Sequence, residues 1–418
     1  MSVDDRAVAV AGAKSKVRRD ATVLAGRGLD FLNLFVANIQ TGFGPFVAVY
    51  LTTQGWTQTS IGEALSLGTI AAMASQVPAG ALVDAVRSKA AVALFSILAF
   101  CASALLFAVQ PTPLWVYAAE VLHGFSSCTL GPAIAAMSLA VAGSAMLGLR
   151  LGRNARFASI GNGIGAALMG ACGYYISERA VFFLTAAVTF PAVISLLPLR
   201  RIPDPAPPTQ GCSKAPAPRT RLGSLLTNRA LLIFALCAML FTLGNSAMLP
   251  LAANALTKKA GDVASLLIGA CIVLPQLVVA VISPTIGQLA EARGRRLVLL
   301  LGLFTLPVRG LLFARLSDPT LLVVIQALDG IAAACLGILV PLVTSDIAGR
   351  SGRFNLMLGF VGLAIGLGAT ASTSLAGRVA DSYGSPVAFA CLAGFGLAAL
   401  LLAWLAMPET RPNAQPQD

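Results

Sequence analysis

One histidine and 17 acidic side chains in 418 residues leave this sequence little from which to build a catalytic centre. A nucleophile with its base, a metal cluster or a phosphate loop would each need a grouping of reactive residues. None is visible, and the glycine-rich runs lie inside apolar stretches rather than in strand-to-helix turns. The eight cysteines form no CxxC or Cys/His set, and all but Cys212 fall in apolar runs. They read as small reduced hydrophobes rather than disulfides or metal ligands. An enzyme, a cofactor and a metal are therefore not expected. A membrane-embedded sensor, the other remote reading, would be expected to carry a soluble domain or a long ordered tail, which the sequence lacks.

Charge is scarce too. Charged residues make up 11% of the chain against 57% hydrophobic, with a mean hydropathy of +0.83, outside the range of soluble domains. The 29 basic residues outnumber the acids, yet they fall in short clusters between apolar runs instead of on one soluble face. That pattern argues against nucleic acid and for loops held on the cytoplasmic side of a bilayer. The polar N-terminal stretch has no short apolar core followed by a cleavage site, so no removable signal is expected.

Apolar runs long enough to cross a bilayer fall near 29–51, 61–83, 90–110, 114–141, 155–177, 181–199, 229–253, 262–290, 297–316, 320–346, 354–378 and 386–407. The expected fold is an all-α integral membrane protein with twelve transmembrane helices in two pseudo-symmetric six-helix bundles. Its parts are a tail over 1–28, a first bundle over 29–199, a proline-rich linker over 200–228, a second bundle over 229–407 and a tail over 408–418. With the N-terminus inside, every basic residue except Arg179, Lys258, Lys259, Arg309, Arg315 and Arg378 lies on the cytoplasmic side. Both termini are accordingly placed in the cytoplasm, in what is expected to be a bacterial inner membrane. Trp56, Trp115, Tyr50, Tyr174, Tyr175 and Tyr383 fall near the outer ends, as an interfacial aromatic belt would place them.

The halves repeat each other. Ala119 to Ile134 (AEVLHGFSSCTLGPAI) matches Ile325 to Val340 (IQALDGIAAACLGILV), with Glu120 opposite Gln326, His123 opposite Asp329 and Gly124 opposite Gly330. The loop Gly80-x-Leu82-x-Asp84-x-x-Arg87-x-Lys89 matches Gly287-x-Leu289-x-Glu291-x-x-Gly294-Arg295-Arg296. Asn154, Gly161 and Gly165 match Asn355, Gly362 and Gly366. Two such halves, related by an axis along the membrane normal, enclose a site near mid-membrane.

On these residues the whole chain resembles the major facilitator superfamily, whose signature lies in the loop between the second and third helices of each half. The resemblance implies alternating access by rocking of the two bundles, with Gly80, Asp84, Arg87, Lys89, Gly287, Glu291, Gly294, Arg295 and Arg296 in cytoplasmic gating loops. Asp84 or Glu291 can accept hydrogen bonds from a neighbouring helix N-terminus or an arginine, and the glycines permit close backbone approach. Twelve-helix drug/proton antiporters of this family carry an arginine four residues before a fourth-helix glycine; here Glu120 holds that place before Gly124. Their fifth-helix Gly-x-x-x-Gly-Pro-x-x-Gly-Gly pattern is matched in part by Gly161, Gly165 and Gly170, which are expected to serve helix packing.

Ionisable groups at mid-bilayer are costly and point to a transport pathway. Along their helices Glu120 and His123 lie roughly 9 and 14 Å below the outer end, Asp329 roughly 12 Å and Arg309 about 10 Å, so the four share a level. Asp329 and Arg309 are expected to pair or to face water. Glu120, with no cation close in sequence, is the preferred proton carrier, with His123 and Asp329 as further coupling candidates; His123 reads equally as a packed neutral ring bonded to Ser126 or Ser127. Asn38, Gln40, Asn245, Arg309 and Gln326 are candidates for the substrate cavity, interhelical amide bonding being the alternative. The expected protein is a monomeric secondary transporter whose partners are the lipid bilayer, protons and a small organic substrate. Proton-coupled efflux is the leading reading and a proton-coupled uptake symporter the alternative.

Overall fold

The computed structural model describes residues 3–43, 45–109, 111–201, 228–259, 264–316, 318–349 and 353–411. The linker expected over 200–228 lies almost wholly outside them, as do Cys212 and Gly44. Among the described residues the chain forms fifteen α-helices and no strand. The first half comprises α1 (Val3–Thr41), α2 (Pro45–Thr53), α3 (Gln58–Ala85), α4 (Lys89–Val109), α5 (Pro113–Ala142), α6 (Leu147–Tyr175) and α7 (Glu178–Ser195). The second comprises α8 (Arg229–Asn245), α9 (Met248–Lys259), α10 (Ala264–Arg293), α11 (Arg295–Arg315), α12 (Pro319–Ile325), α13 (Ala327–Ala348), α14 (Phe354–Tyr383) and α15 (Ser385–Ala406).

Three of the fifteen, α2, α9 and α12, are broken-off pieces of longer spans at the end away from the basic clusters, so twelve spans remain among the described residues. Eleven of them are long and apolar enough to cross a bilayer. The twelfth, α6, carries Arg150, Arg153 and Arg156 in its first turns and begins before the apolar run expected at 155. The first span also differs from the 29–51 expected: α1 already begins at Val3 and stops at Thr41. Gly42 and the missing N–H of Pro45 explain the stop, since Pro45 sits at the first position of the next helix, where that loss costs nothing. In the seventh span the break at Asn245–Met248 frees the Ala247 N–H, which donates to Ser372 Oγ at 3.1 Å. A backbone donor at this depth needs such a partner, because lipid offers none.

Helices pack in the same pairs in both halves: α3 on α5 as α10 on α13, α4 on α7 as α11 on α15, and α1 on α6 as α8 on α14. Each half has its own apolar core, the first around Phe100, Phe107 and Phe182 and the second around Phe234, Leu303 and Leu339. Between the halves, α3 meets α14 and α6 meets α10. The junctions run from mid-helix to one end, here the basic end, where Arg87, Lys89, Arg150, Arg153, Arg293, Arg295 and Arg296 gather. Thr370 donates to Met73 Sδ at 3.5 Å and Asn162 to Gln276 at 3.4 Å near the middle. Gly80 lies against the Asn355 backbone and Gly287 against the Gly148 backbone at the basic end, so tightly that a Cβ on either glycine would collide.

The aromatic residues expected in the belt differ in exposure. Tyr174, Tyr175, Tyr383 and Trp115 are exposed, but Tyr50 is buried and donates its hydroxyl to Phe107 O at 3.0 Å. Its ring packs at 5.0 Å from Phe182, where burial outweighs an interfacial position.

Candidate functional site

Between the two bundles lies a cavity of about 410 Å³, lined from α1 by Asn33, Val36, Ala37 and Gln40, from α5 and α6 by Ile134, Asn154 and Ser159, and from α10 and α13 by Gln276, Val279, Ala333 and Pro341 among others. Its lining holds four carboxamides and one hydroxyl, with no charged and no aromatic side chain. Asn154 is held from below: its Oδ1 accepts from Arg150 Nε at 2.8 Å and its Nδ2 donates to Ser138 Oγ at 2.7 Å. Arg150 in turn is paired with Asp30, which also receives Arg153 Nε at 3.0 Å. Asp30 is 2% exposed. This network escapes a reading of the sequence because Asp30 belongs to no motif, and only the α1–α6 packing brings it to the arginines. It also explains why α6 starts early, since Asp30 neutralises charges that would otherwise end an apolar helix.

Of the residues expected at the substrate cavity, Gln40 lines this one. Asn38, Arg309 and Gln326 do not: they are buried at 3%, 2% and 0% exposure within their own bundles. The helix rotation that points Gln40 into the cavity turns Asn38 against Gly165 of α6. Asn245, at the end of α8, has an unpartnered Oδ1 and is not among the lining residues.

Glu120 lies in the crossing of α5 and α3, 4% exposed, with Oε1 lacking a partner. Its carboxylate rests on Gly68, where a Cβ would collide with it, and Gly124 lies against the Gly68 carbonyl and Ala72. His123 Nδ1 stands 4.0 Å from Glu120 Oε2. The imidazole stacks on Phe43 with ring centroids 4.3 Å apart and meets Phe100 edge-on at 5.5 Å. Ser126 and Ser127, the hydroxyls considered as its partners, instead donate to the Leu122 and His123 carbonyls one turn back.

In the second half Arg309 of α11 and Asp329 of α13 form an ion pair. Arg309 Nε also donates to Met248 Sδ at 3.3 Å, and its guanidinium lies 5.8 Å from the Phe313 ring centre. Gln326, in the joint between α12 and α13, has neither amide atom partnered. Gly330 lies against Pro275 O and Val278, as Gly124 does against α3.

At the basic end each half holds a helix of the other. Asp84 accepts from the first N–H groups of α14, at Asn355 N (3.1 Å) and Leu356 N (2.8 Å), and from Asn355 Nδ2 at 2.7 Å. Glu291 accepts from Gly148 N of α6 at 2.7 Å and pairs with Arg295 at 2.9 Å. Arg295 also binds Asp346 at 2.8 Å. Carboxylates at helix N-termini gain both hydrogen bonds and the helix dipole. Lys89, the first residue of α4, instead caps the end of the preceding α3, donating to Val83 O at 2.6 Å and Val86 O at 2.7 Å, and Arg87 is exposed. Gly294 turns the chain at φ 101°. There Glu409 accepts from Arg295 N at 2.8 Å and Arg296 N at 3.1 Å. Gly161 and Gly165 permit α6 to touch α1 closely at Leu34 and Asn38, whereas Gly170 meets nothing within 4 Å; its packing role is not seen.

A family model described as Major Facilitator Superfamily matches residues 29–256 and 234–418. An uncharacterized MFS-type transporter of Mycobacterium tuberculosis is 36% identical over 395 residues, covering 92% of this chain and 93% of its own. Among solved structures, the proton:xylose symporter XylE aligns with TM-score 0.72 at 12% identity, covering 94% of this chain and 96% of its own. The transporter FucP, in the outward conformation, aligns with TM-score 0.73 at 15% identity, covering 92% and 98%. The nucleoside transporter NupG gives 0.64 at 18%, covering 92% and 100%. At these identities the solved structures show the fold alone.

Proposed function

This chain belongs to the major facilitator superfamily and is a multi-pass membrane transporter; on that premise we propose that it exports a small, uncharged organic molecule across the bacterial inner membrane in exchange for protons, with both termini cytoplasmic. The observation that carries the coupling is Glu120, a carboxylate buried between α5 and α3 with one oxygen unpartnered and no cation beside it. A charge so placed is expensive, and a proton removes the expense. The partly exposed His123 ring, 4.0 Å away, is the route by which that proton enters and leaves. The cavity supports the substrate class: carboxamides both donate and accept, and nothing in the lining compensates a charge.

Alternating access follows from the same contacts. The bundles are clasped at the basic end through Asp84 on α14 and Glu291 on α6; with that end in the cytoplasm, as proposed, this state is closed toward the cytoplasm. Release of both clasps opens the basic end, while the bundles close at the opposite end. Export rather than uptake is favoured by the partial fifth-helix match at Gly161 and Gly165. Purified protein in vesicles with an imposed pH gradient tests the proposal: substrate moving against the proton flow supports exchange, and substrate moving with it establishes symport instead.

A further inference from the structure

Outside the central cavity, a second recess of about 470 Å³ lies on the outer surface of the second bundle, between α11 and α15. Leu297, Leu301 and Phe304 form one wall and Leu400, Leu401 and Trp404 the other. Leu297 is the third residue of α11 and Trp404 the third from the end of α15, so the recess begins at the basic end. From Leu297 to Phe304 it reaches about 10 Å along the helix, about two thirds of the hydrocarbon depth of one leaflet. Arg296 stands at its mouth, and Arg411 and Arg293 lie at the adjoining turn between α10 and α11. Arg296 donates through Nη2 to Trp404 O, while its Nε has no partner. Arg411 donates to Ala292 O at 3.0 Å, and Arg293 is exposed. Of the nearby acids, Glu291 and Asp346 are committed to Arg295, and Glu409 to backbone N–H groups. The mouth therefore keeps an excess of positive charge above a purely apolar slot.

We infer that this recess binds an anionic diacyl phospholipid, its acyl chain between α11 and α15 and its phosphate on Arg293, Arg296 and Arg411. A zwitterionic lipid fits the slot equally well but brings no net charge to the arginines, so headgroup charge sets the preference. The site requires only that the basic end lie at a membrane surface, and stands apart from the cavity and from Glu120.

Trp404 reports on it directly. In the variant Trp56→Phe/Trp115→Phe it is the one remaining tryptophan, as the sequence holds three. Reconstituted in phosphatidylcholine vesicles, its fluorescence is expected to be half-quenched by brominated phosphatidylglycerol at about fivefold lower mole fraction than by brominated phosphatidylcholine, and Arg293→Gln/Arg296→Gln/Arg411→Gln closes that gap. Equal quenching by the two lipids, or a gap that survives the triple substitution, overturns the site. So does shielding of Trp404 from both lipids by a second copy of the chain, detected as a crosslink in the variant Leu401→Cys. If the tryptophan variant fails to fold, native mass spectrometry of the unaltered protein decides: retained phosphatidylglycerol that the triple variant loses supports the site, and no preference over phosphatidylcholine refutes it.

Discussion

At one depth, on matching helices, the two halves carry opposite arrangements of charge. In the second half Asp329 is bound by Arg309, which is also held by Met248 and the Phe313 ring. In the first, Glu120 has only an imidazole at 4.0 Å, and the α4 residue in the place of Arg309 is Ser103, whose hydroxyl donates to Ala119 O at 2.8 Å. The glycines below them do the same work in both halves, letting α5 and α13 close onto α3 and α10. Packing is shared and compensation is not. On the proposed coupling, the paired charge of the second half serves structure and the unpaired one of the first half carries the proton.

The comparison breaks most visibly at Asp329. Asp329→Asn leaves Arg309 buried without its counter-ion and should cost about 3–5 kcal/mol, read as a lower thermal midpoint and lower folded yield in detergent. Asp329→Asn with Arg309→Gln should recover most of that loss; a double variant no better than the single would show that the pair is not what holds α11 to α13. The corresponding change in the other half, Glu120→Gln, removes no partner and should cost at most about 1 kcal/mol. It should nonetheless abolish gradient-driven transport while leaving substrate binding and exchange intact. Transport that persists under the gradient would refute the carrier role.

The clasps sharpen the comparison at the basic end, where the halves do behave alike. Asp84→Asn or Glu291→Gln should each weaken closure by roughly 1.5 kcal/mol. A cysteine at Ser159, in the cavity, would then react about tenfold faster with a reagent added from the basic end. Unequal effects would show that one clasp dominates.

The smallest effect concerns Glu409. Partial burial pushes its carboxyl upward, but N–H groups of Arg295, Arg411, Arg296 and Thr410 outweigh this and hold it below its ordinary value of 4.5. A lowered value in the folded state contributes stability above pH 4.5 that is lost as the pH falls through the folded value. The wild type should therefore lose slightly more stability than Glu409→Gln on acidification below that point, measured by unfolding in detergent. Equal losses would mean that the cap is not coupled to folding.

Much of this was legible along the chain. The number of spans, the repeat, the glycine at each helix crossing and the acids at the basic end follow from hydropathy and internal match. The partners were not. Asp30 carries no motif, Glu409 lies beyond the last apolar run, and Gln326 looks like a cavity residue by its match to Glu120 yet has no exposed surface.

The sequence by itself determined that the chain crosses a bilayer in two matched sets of helices, because transfer of apolar segments from water is a sum over neighbouring residues. Which polar side chains meet was decided only by tertiary packing. Each residue advances about 100° around a helix, so Asn38 and Gln40, two positions apart, point to opposite surroundings. A modest turn of α1 places one in the bundle and the other in the cavity, and nothing local to either residue encodes that turn.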